Sequence, residues 1–228
     1  MITWNQPNLS DPRLMKADAF MVAAHAAVGQ YRKYTKDENG NPHRYHVHPR
    51  ECLAILQALP QSSNITIAQQ IGMLLHDTIE DTRKFEDENG NVIKKPGEFV
   101  KSGRKLILVD GITLDVIEDI FTGDDADPNF TKEIRRITSG LTDTSMPWDG
   151  NREKRKKIDL DHTAEQAADV KTCKLADVIS NTPSILTSDP GFARKWMWEK
   201  ADMLPILKDG DPILFAIVEE QVKSFFAR

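Results

Sequence analysis

The chain is poor in cysteine, carries no excess of positive charge and contains no long apolar run, and each shortage excludes a class of protein. Only Cys52 and Cys173 occur among 228 residues. They lie outside any CxxC or Cys/His spacing, so neither a disulfide framework nor a thiolate zinc site is expected. A reducing cytoplasm is the expected compartment. Lys and Arg number 30 against 35 Asp and Glu, a net charge of −5, which excludes a generally basic nucleic-acid binder. An anionic ligand would need a local basic pocket. The apolar stretch 17–28 is interrupted by Asp18 and His25 and follows no basic segment, so it is not a signal peptide. No window approaches the roughly 18 apolar residues of a membrane span, and no membrane association is expected. With 39% hydrophobic and 29% charged residues, the chain reads as a single soluble globular domain over 1–228.

Helical periodicity dominates. Across 11–30, Leu14, Ala17, Phe20, Met21, Ala24 and Val28 recur at three and four, the spacing of one buried face. Residues 36–45 are polar and contain Asn39-Gly40 and Pro42, a turn-rich loop. Pro49 suits the first turn of a second helix, which places His48 at that helix's entrance. A third helix is expected over 64–82, with Ile67, Ile71, Leu74, Leu75 and Ile79 buried and Gly72 permitting a close helix contact. Further helices are expected at 113–121, 132–139, 152–160, 164–181, 191–204 and 212–226. Residues 83–112 differ, because Asn89-Gly90, Pro96-Gly97 and Asp110-Gly111 punctuate short β-prone pieces, an inserted hairpin excursion. Asp-Glu-Asn-Gly-Asn occurs at 37–41 and again at 87–91, which reads as shared turn chemistry rather than a repeat. The expected fold class is all-α with a small β insertion at about 83–112.

Four pieces carry chemistry: Tyr45-His-Val-His48-Pro49, His76-Asp77-Thr-Ile-Glu80-Asp81-Thr82, Lys174-Leu-Ala-Asp177, and Asn181. In the second, His76 and Glu80 are four apart, as are Asp77 and Asp81, so three carboxylates and an imidazole share one helical patch. They follow Met73-Leu74-Leu75, which must be buried, so the helix is expected to end in a polar pocket. Carboxylates crowded there repel unless a cation or proton intervenes.

These pieces resemble the HD-domain metal phosphohydrolases, and within them the hydrolase domain of the RelA/SpoT family and the metazoan SpoT homologues. The resemblance rests on Gly29-Gln30-Tyr31-Arg32-Lys33, Tyr45 to Pro49, Leu74 to Thr82 and Lys174 to Asn181, in that order, and covers about 17–82 and 134–186. It implies an HD-domain helical bundle in which His48, His76, Asp77 and Asp177 bind one divalent ion, usually Mn²⁺. It also implies that Glu80 and Asp81 act on water and that Arg32, Lys33, Tyr45 and Asn181 surround a nucleotide. The residues by themselves agree: two imidazoles and two carboxylates form a mixed N/O set suited to Mn²⁺, Fe²⁺ or Zn²⁺. The function so implied is hydrolysis of ppGpp, or a related alarmone such as ppApp, to release the 3′-pyrophosphate. The alternatives are another nucleotide phosphohydrolase, such as an NADPH 2′-phosphatase, or a catalytically idle nucleotide sensor.

Several features depart from the pattern or stand outside it. Residues 83–112 lengthen the connection after Thr82, and their cations Lys94, Lys95, Arg104 and Lys105 are placed to reach phosphates if the segment covers the pocket mouth. Ala27 stands where the family often has His, and Arg44 replaces a common Pro. The run Arg152, Lys154, Arg155, Lys156, Lys157 is either a solvated helix face or a set of phosphate contacts. His25, His43, His46 and His162 match no position of the pattern and read as bystanders. A small stand-alone hydrolase acting on a nucleotide, without nucleic acid, is the expectation.

Overall fold

The computed structural model describes residues 5–227. Asp11 opens α1 (Pro12–Ala27) by accepting the Arg13 amide at 2.8 Å, and Pro12 fills the first turn, where no N–H is needed. Gly29, at φ 66°, turns the chain out of the helix earlier than the apolar spacing to 30 suggested. An antiparallel hairpin follows, β1 (Tyr31–Lys36) and β2 (Pro42–Arg44), with Tyr31 opposite Arg44. Its turn is built by Asp37, whose Oδ1 accepts the amides of Asn39 and Asn41 at 2.9 and 2.8 Å. Asp87 does the same for Asn89 and Asn91, both at 2.9 Å, with Gly40 and Gly90 both at positive φ. The repeated pentapeptide is therefore one turn used twice.

Helix α2 (Val47–Gln57) carries Pro49 in its first turn, which fixes His48 at the entrance as expected. Thr66 and Gln69 form a reciprocal capping box that starts α3 (Ile67–Leu75). The single helix expected over 64–82 is two, because α4 (Thr78–Thr82) is offset from α3 by a turn at His76 and Asp77. Thr78 Oγ1 donates to the Leu75 carbonyl at 2.6 Å, a local bond that competes with the helical ladder. The insertion holds β3 (Lys84–Glu86), β4 (Val92–Ile93), α5 (Pro96–Lys101) and β5 (Ile107–Asp110) in a three-stranded antiparallel sheet of order β4-β3-β5. It is thus more than a hairpin, and Phe85 pins it to the body edge-on against Trp148 with ring centroids 5.9 Å apart.

The rest is helical: α6 (Leu114–Phe121), α7 (Phe130–Leu141), α8 (Arg152–Ala164), α9 (Ala168–Ser188), α10 (Pro190–Leu207) and α11 (Pro212–Phe226). The helix expected at 164–181 begins later because α8 runs on to Ala164 and Ala167 is extended, and it continues past Pro183 to Ser188. One core joins α1, α2, α3, α6, α7, α9 and α11 through Met21, Leu53, Ile71, Leu74, Phe121, Ile134, Leu175 and Val218. Its tightest seam is α3 on α7. A Cβ added to Gly72 would lie 2.5 Å from Ile137 Cγ2, so only glycine lets these helices approach so closely. That seam holds α3 in place, and the end of α3 places His76. Among the described residues no helix is long and apolar enough to cross a membrane.

Candidate functional site

Three helix segments deliver one cluster. The first turn of α2 brings His48, the α3–α4 turn brings His76 and Asp77, and the middle of α9 brings Asp177. The two Nε2 atoms of His48 and His76 lie 3.3 Å apart. Asp177 Oδ1 is 3.1 Å from His48 Nε2 and 3.9 Å from His76 Nε2, while Asp77 Oδ2 is 3.6 and 3.0 Å from the same two atoms. Both imidazoles are almost wholly buried.

The outer nitrogens decide what this cluster is. His76 Nδ1 meets the Met73 carbonyl at 2.7 Å and must donate, so its Nε2 presents a lone pair when the ring is neutral. His48 Nδ1 meets Ser180 Oγ at 3.0 Å, and the Ser180 hydroxyl is itself donated to Glu51, so His48 Nδ1 is a donor too. Two lone pairs and two carboxylates thus converge, and such a set requires a cation. With protons as the available cations, burial opposes charging His76 but the Asp77 carboxylate beside it prevails and raises it to about 9. His48 is pushed down by its burial. Against their own burial, Asp77 is held below the usual carboxylate range by His76, and Asp177 by Lys174. Two ionised carboxylates and two imidazoles, each fixed by a partner on its far nitrogen, are the donor set that a divalent transition ion takes. The residues fit the group.

Cys52, one turn along α2 from His48, completes a second possible quartet with His48, His76 and Asp177. Its Sγ lies 3.6 Å from His48 Nδ1 and 3.9 Å from Nε2, which sets it beside the ring rather than along the Nε2 lone pair. Burial also pushes its thiol well above the usual range, away from the thiolate a metal needs. Asp77, by contrast, is held ionised, and its Oδ2 lies 3.0 Å from His76 Nε2.

Glu80 and Asp81 occupy different surroundings. Burial, then the charges of Asp143 and Asp77, push Glu80 well up, and its Oε1 accepts the Asp143 amide. Burial and Asp77 raise Asp81 to about 7; it faces Gln30 and, at 3.7 Å, His25 Nδ1. Glu80 lines the cleft described below, whereas Asp81 is not among its lining residues.

Of the expected nucleotide contacts, three join the cluster. Tyr45 donates its hydroxyl to Asp77 Oδ2 at 2.6 Å. Asn181 donates to Asp177 Oδ1 at 2.7 Å and accepts from Arg32 Nη1 at 2.8 Å, so the β1 strand delivers a buried guanidinium to the cluster's edge. Lys33, its neighbour on the strand, points to the surface, where it meets the Tyr34 hydroxyl and Asp189.

Asp143 was missed, His25 was read as a bystander, and Lys174 was named in its motif without a role. His25 stacks on Tyr45 with centroids 4.7 Å apart and bonds Gln30 Oε1 at 2.8 Å, close behind the cluster rather than a bystander. Its place on the buried face of α1, four residues after Met21, was the available signal. Asp143 receives Lys156 at 2.6 Å and Lys174 at 3.5 Å and is held well below its usual range by these cations despite its burial. Lys174, raised by Asp143 and Asp177 against its burial, is the ammonium that links the two carboxylates.

The cluster opens into a cleft of about 1070 Å³ between α8, α9 and α10, lined by Tyr45, Asp77, Glu80, Asp177, Asn181 and Trp196 among others. Lys154, Lys156 and Lys157 of the basic run line it as well, while Arg152 is spent on Glu199 at 2.7 and 2.8 Å. No lining residue comes from 83–112, so the expectation that this insertion covers the pocket mouth is corrected. Lys94, Lys95, Arg104 and Lys105 are outside the cleft, because the sheet docks behind α4 through Arg83 on the Asp143 carbonyl and the Ile112 amide on Thr82.

No protein-family model matches the chain, and no curated protein matches it in sequence. Its fold does match a solved structure, described as a metazoan orthologue of SpoT that hydrolyses ppGpp and plays a role in starvation responses. The TM-score is 0.64 at 17% identity, over 95% of this chain and 97% of that one. The all-helical bundle with a small β insertion is therefore a fold that this chain shares with that SpoT orthologue.

Proposed function

We propose that the protein is a metal-dependent nucleotide phosphohydrolase that removes the 3′-pyrophosphate of ppGpp or a related alarmone. The observation that carries this reading is the convergence of the Nε2 atoms of His48 and His76 with Asp77 and Asp177, two carboxylates that also line a lysine-lined cleft. His48, His76, Asp77 and Asp177 would hold the ion, with Mn²⁺ the expected occupant. When bound there, a divalent ion supplies Lewis acidity that lowers the pKa of water and offsets phosphoryl charge.

The chain's own residues divide the remaining work. Glu80 takes a proton from the attacking water, a task suited to a carboxylate whose proton affinity is raised by burial and by Asp143. Water's oxygen bonds to the phosphorus attached at O3′, the P–O3′ bond breaks, O3′ gains a proton, and pyrophosphate and GDP leave. Asp81 lies off the cleft, where it faces Gln30 and His25 rather than the space that Glu80 borders. Asn181, held by Arg32, and Tyr45, held by Asp77, border the space in which the ribose phosphate must sit. The fold shared with a ppGpp-hydrolysing protein supports the substrate class.

The test is a product assay on the Mn²⁺-loaded chain against ppGpp, ppApp and NADPH. Pyrophosphate from ppGpp is the expected product; orthophosphate from NADPH alone would replace this reading with a 2′-phosphatase, and no turnover of any would leave a nucleotide sensor. Glu80→Gln should keep the metal and lose at least about a hundredfold in kcat.

A further inference from the structure

Lys200 stands in an unusual position. It lies on α10 in the wall of the cleft, and only 8% of the residue is exposed. The other buried lysines have carboxylates: Lys171 meets Asp209, and Lys174 meets Asp143 and Asp177, as the more exposed Lys156 meets Asp143 and Asp159. Among the described residues Lys200 has none within ion-pair distance. Its Nζ sits 4.1 Å from the Trp196 ring centroid and 3.3 Å from Met203 Sδ, a weak acceptor. The Trp196 indole N–H donates to Thr182 Oγ1 at 3.1 Å, which anchors the ring against which the ammonium rests. Trp196, Met203 and Lys200 all line the cleft that also contains Asp77, Glu80, Asp177 and Asn181.

A buried ammonium with hydrogen-bond donors to spare and no counter-charge is costly unless an anion arrives from outside. Burial and the neighbouring Lys174 already weaken its hold on its proton, as expected where the local counter-charge is missing. The exposed lysines of the cleft can attract a polyanion, but an ammonium fixed on an aromatic ring can also orient one.

We propose that Lys200 is a specificity-determining residue that receives a phosphate group of the nucleotide remote from the one being hydrolysed. The proposal rests on the nucleotide phosphohydrolase reading for the identity of the anion, while anion binding itself can be measured apart from turnover.

The Mn²⁺-loaded full chain, Lys200→Met, Lys200→Gln and Lys200→Arg are compared on ppGpp and on guanosine 3′-diphosphate, which lacks the 5′ phosphates. Lys200→Met and Lys200→Gln should raise the KM for ppGpp about tenfold or more with kcat within about threefold. Their kcat/KM on guanosine 3′-diphosphate should stay within about twofold of the parent, and Lys200→Arg should recover most of the ppGpp affinity. Equal losses on both substrates, or no loss on either, overturn the proposal. Calorimetric binding of inorganic pyrophosphate separates failure of the two readings. If the parent chain turns over neither nucleotide, the enzyme reading falls, yet pyrophosphate binding weakened about tenfold in Lys200→Met still supports the anion site. Equal binding by parent and variant, or none by the parent, overturns it. Lys200→Gln keeps the test open should Lys200→Met fail to fold.

Discussion

Replacing Lys200 by methionine should make the protein more stable while weakening its hold on an anion. The ordinary lysine value of 10.5 is lowered in the folded chain to about 8, by burial first and then by Lys174 and Lys156, with Asp177 and Asp143 opposing them. A difference of about 2.5 units corresponds to about 3 kcal/mol by which folding disfavours the charged form. The contact with the Trp196 face offsets about 1 kcal/mol of that, leaving about 2 kcal/mol that an unbranched, apolar methionine of similar length should recover. For a chain of this size the gain is roughly 4–8 °C in Tm. The sign with pH follows from the proton count. Below pH 8 both folded and unfolded states hold the lysine proton, so the variant's advantage is fully present. Between about 8 and 10.5 the unfolded parent binds more protons than the folded one, the parent gains stability as pH rises, and the gap closes. Calorimetric melts of parent and variant at pH 7 and at pH 10.5, both with chelator, measure it; the shared histidine cluster titrates in both and cancels from the difference. A gap unchanged at pH 10.5 would assign the effect to packing, and a variant less stable at pH 7 would refute the claim that the ammonium lacks a counter-charge.

Elemental analysis after Mn²⁺ loading should find about one ion per chain, lost in His48→Ala and Asp77→Ala but kept in Cys52→Ala; retention without Asp77 and loss without Cys52 would exchange their roles. Gly72→Ala should cost about 1–3 kcal/mol by denaturant melts, because the new methyl meets Ile137 Cγ2, and Ile137→Ala in the same chain should remove most of the added penalty. Replacing 86–109 by a short Gly-Ser linker should leave the ranking of ppGpp, ppApp and NADPH by kcat/KM unchanged, since no residue of the cleft comes from that segment; a reordered ranking would show that the sheet acts on the cleft through Arg83 and Asp143.

The helices were legible wherever burial was one-sided. Met21 and Ala24 on α1 announce their face by spacing alone, while α3, buried nearly all round, was read from its apolar run, and Gly72 announced a close helix contact without naming α7 as the partner. The β1–β2 hairpin was not, because Tyr31 to Lys36 is mostly exposed and its register is set by the Asp37 turn and by where Arg32 must go, with no apolar alternation. The break between α3 and α4 was hidden for a related reason: a turn at His76 and Asp77 preserves the helical offsets among 76, 77, 80 and 81 closely enough that one continuous helix reads the same. The insertion misled because turn residues report that a segment leaves the body, whereas its destination depends on contacts made far along the chain, Phe85 against Trp148 and Arg83 on the Asp143 carbonyl.

The site shows where sequence reading stops for a physical reason. Spacing could bring together residues of one helix, and so it found His76, Asp77 and Glu80; it could not find Asp143, which sits in a loop and becomes part of the site only through three other elements. Glu80 is held by the Asp143 amide, Asp143 by Lys156 and Lys174, and Lys174 by Asp177, so an alternation of charge runs from the cleft-lining Glu80 back to a cluster carboxylate. Within that alternation Asp143 has two opposed effects on Glu80. Its carboxylate, with Asp77 and burial, raises the proton affinity of Glu80, while its backbone amide and the nearby Lys174 lower it. Asp143→Asn keeps the amide and removes the charge, so it should lower the pH at which Glu80 ionises and shift the acid limb of the kcat profile downward, with metal content unchanged. An acid limb that stays in place would separate Asp143 from Glu80 and return it to a purely structural part in seating Lys156 and Lys174.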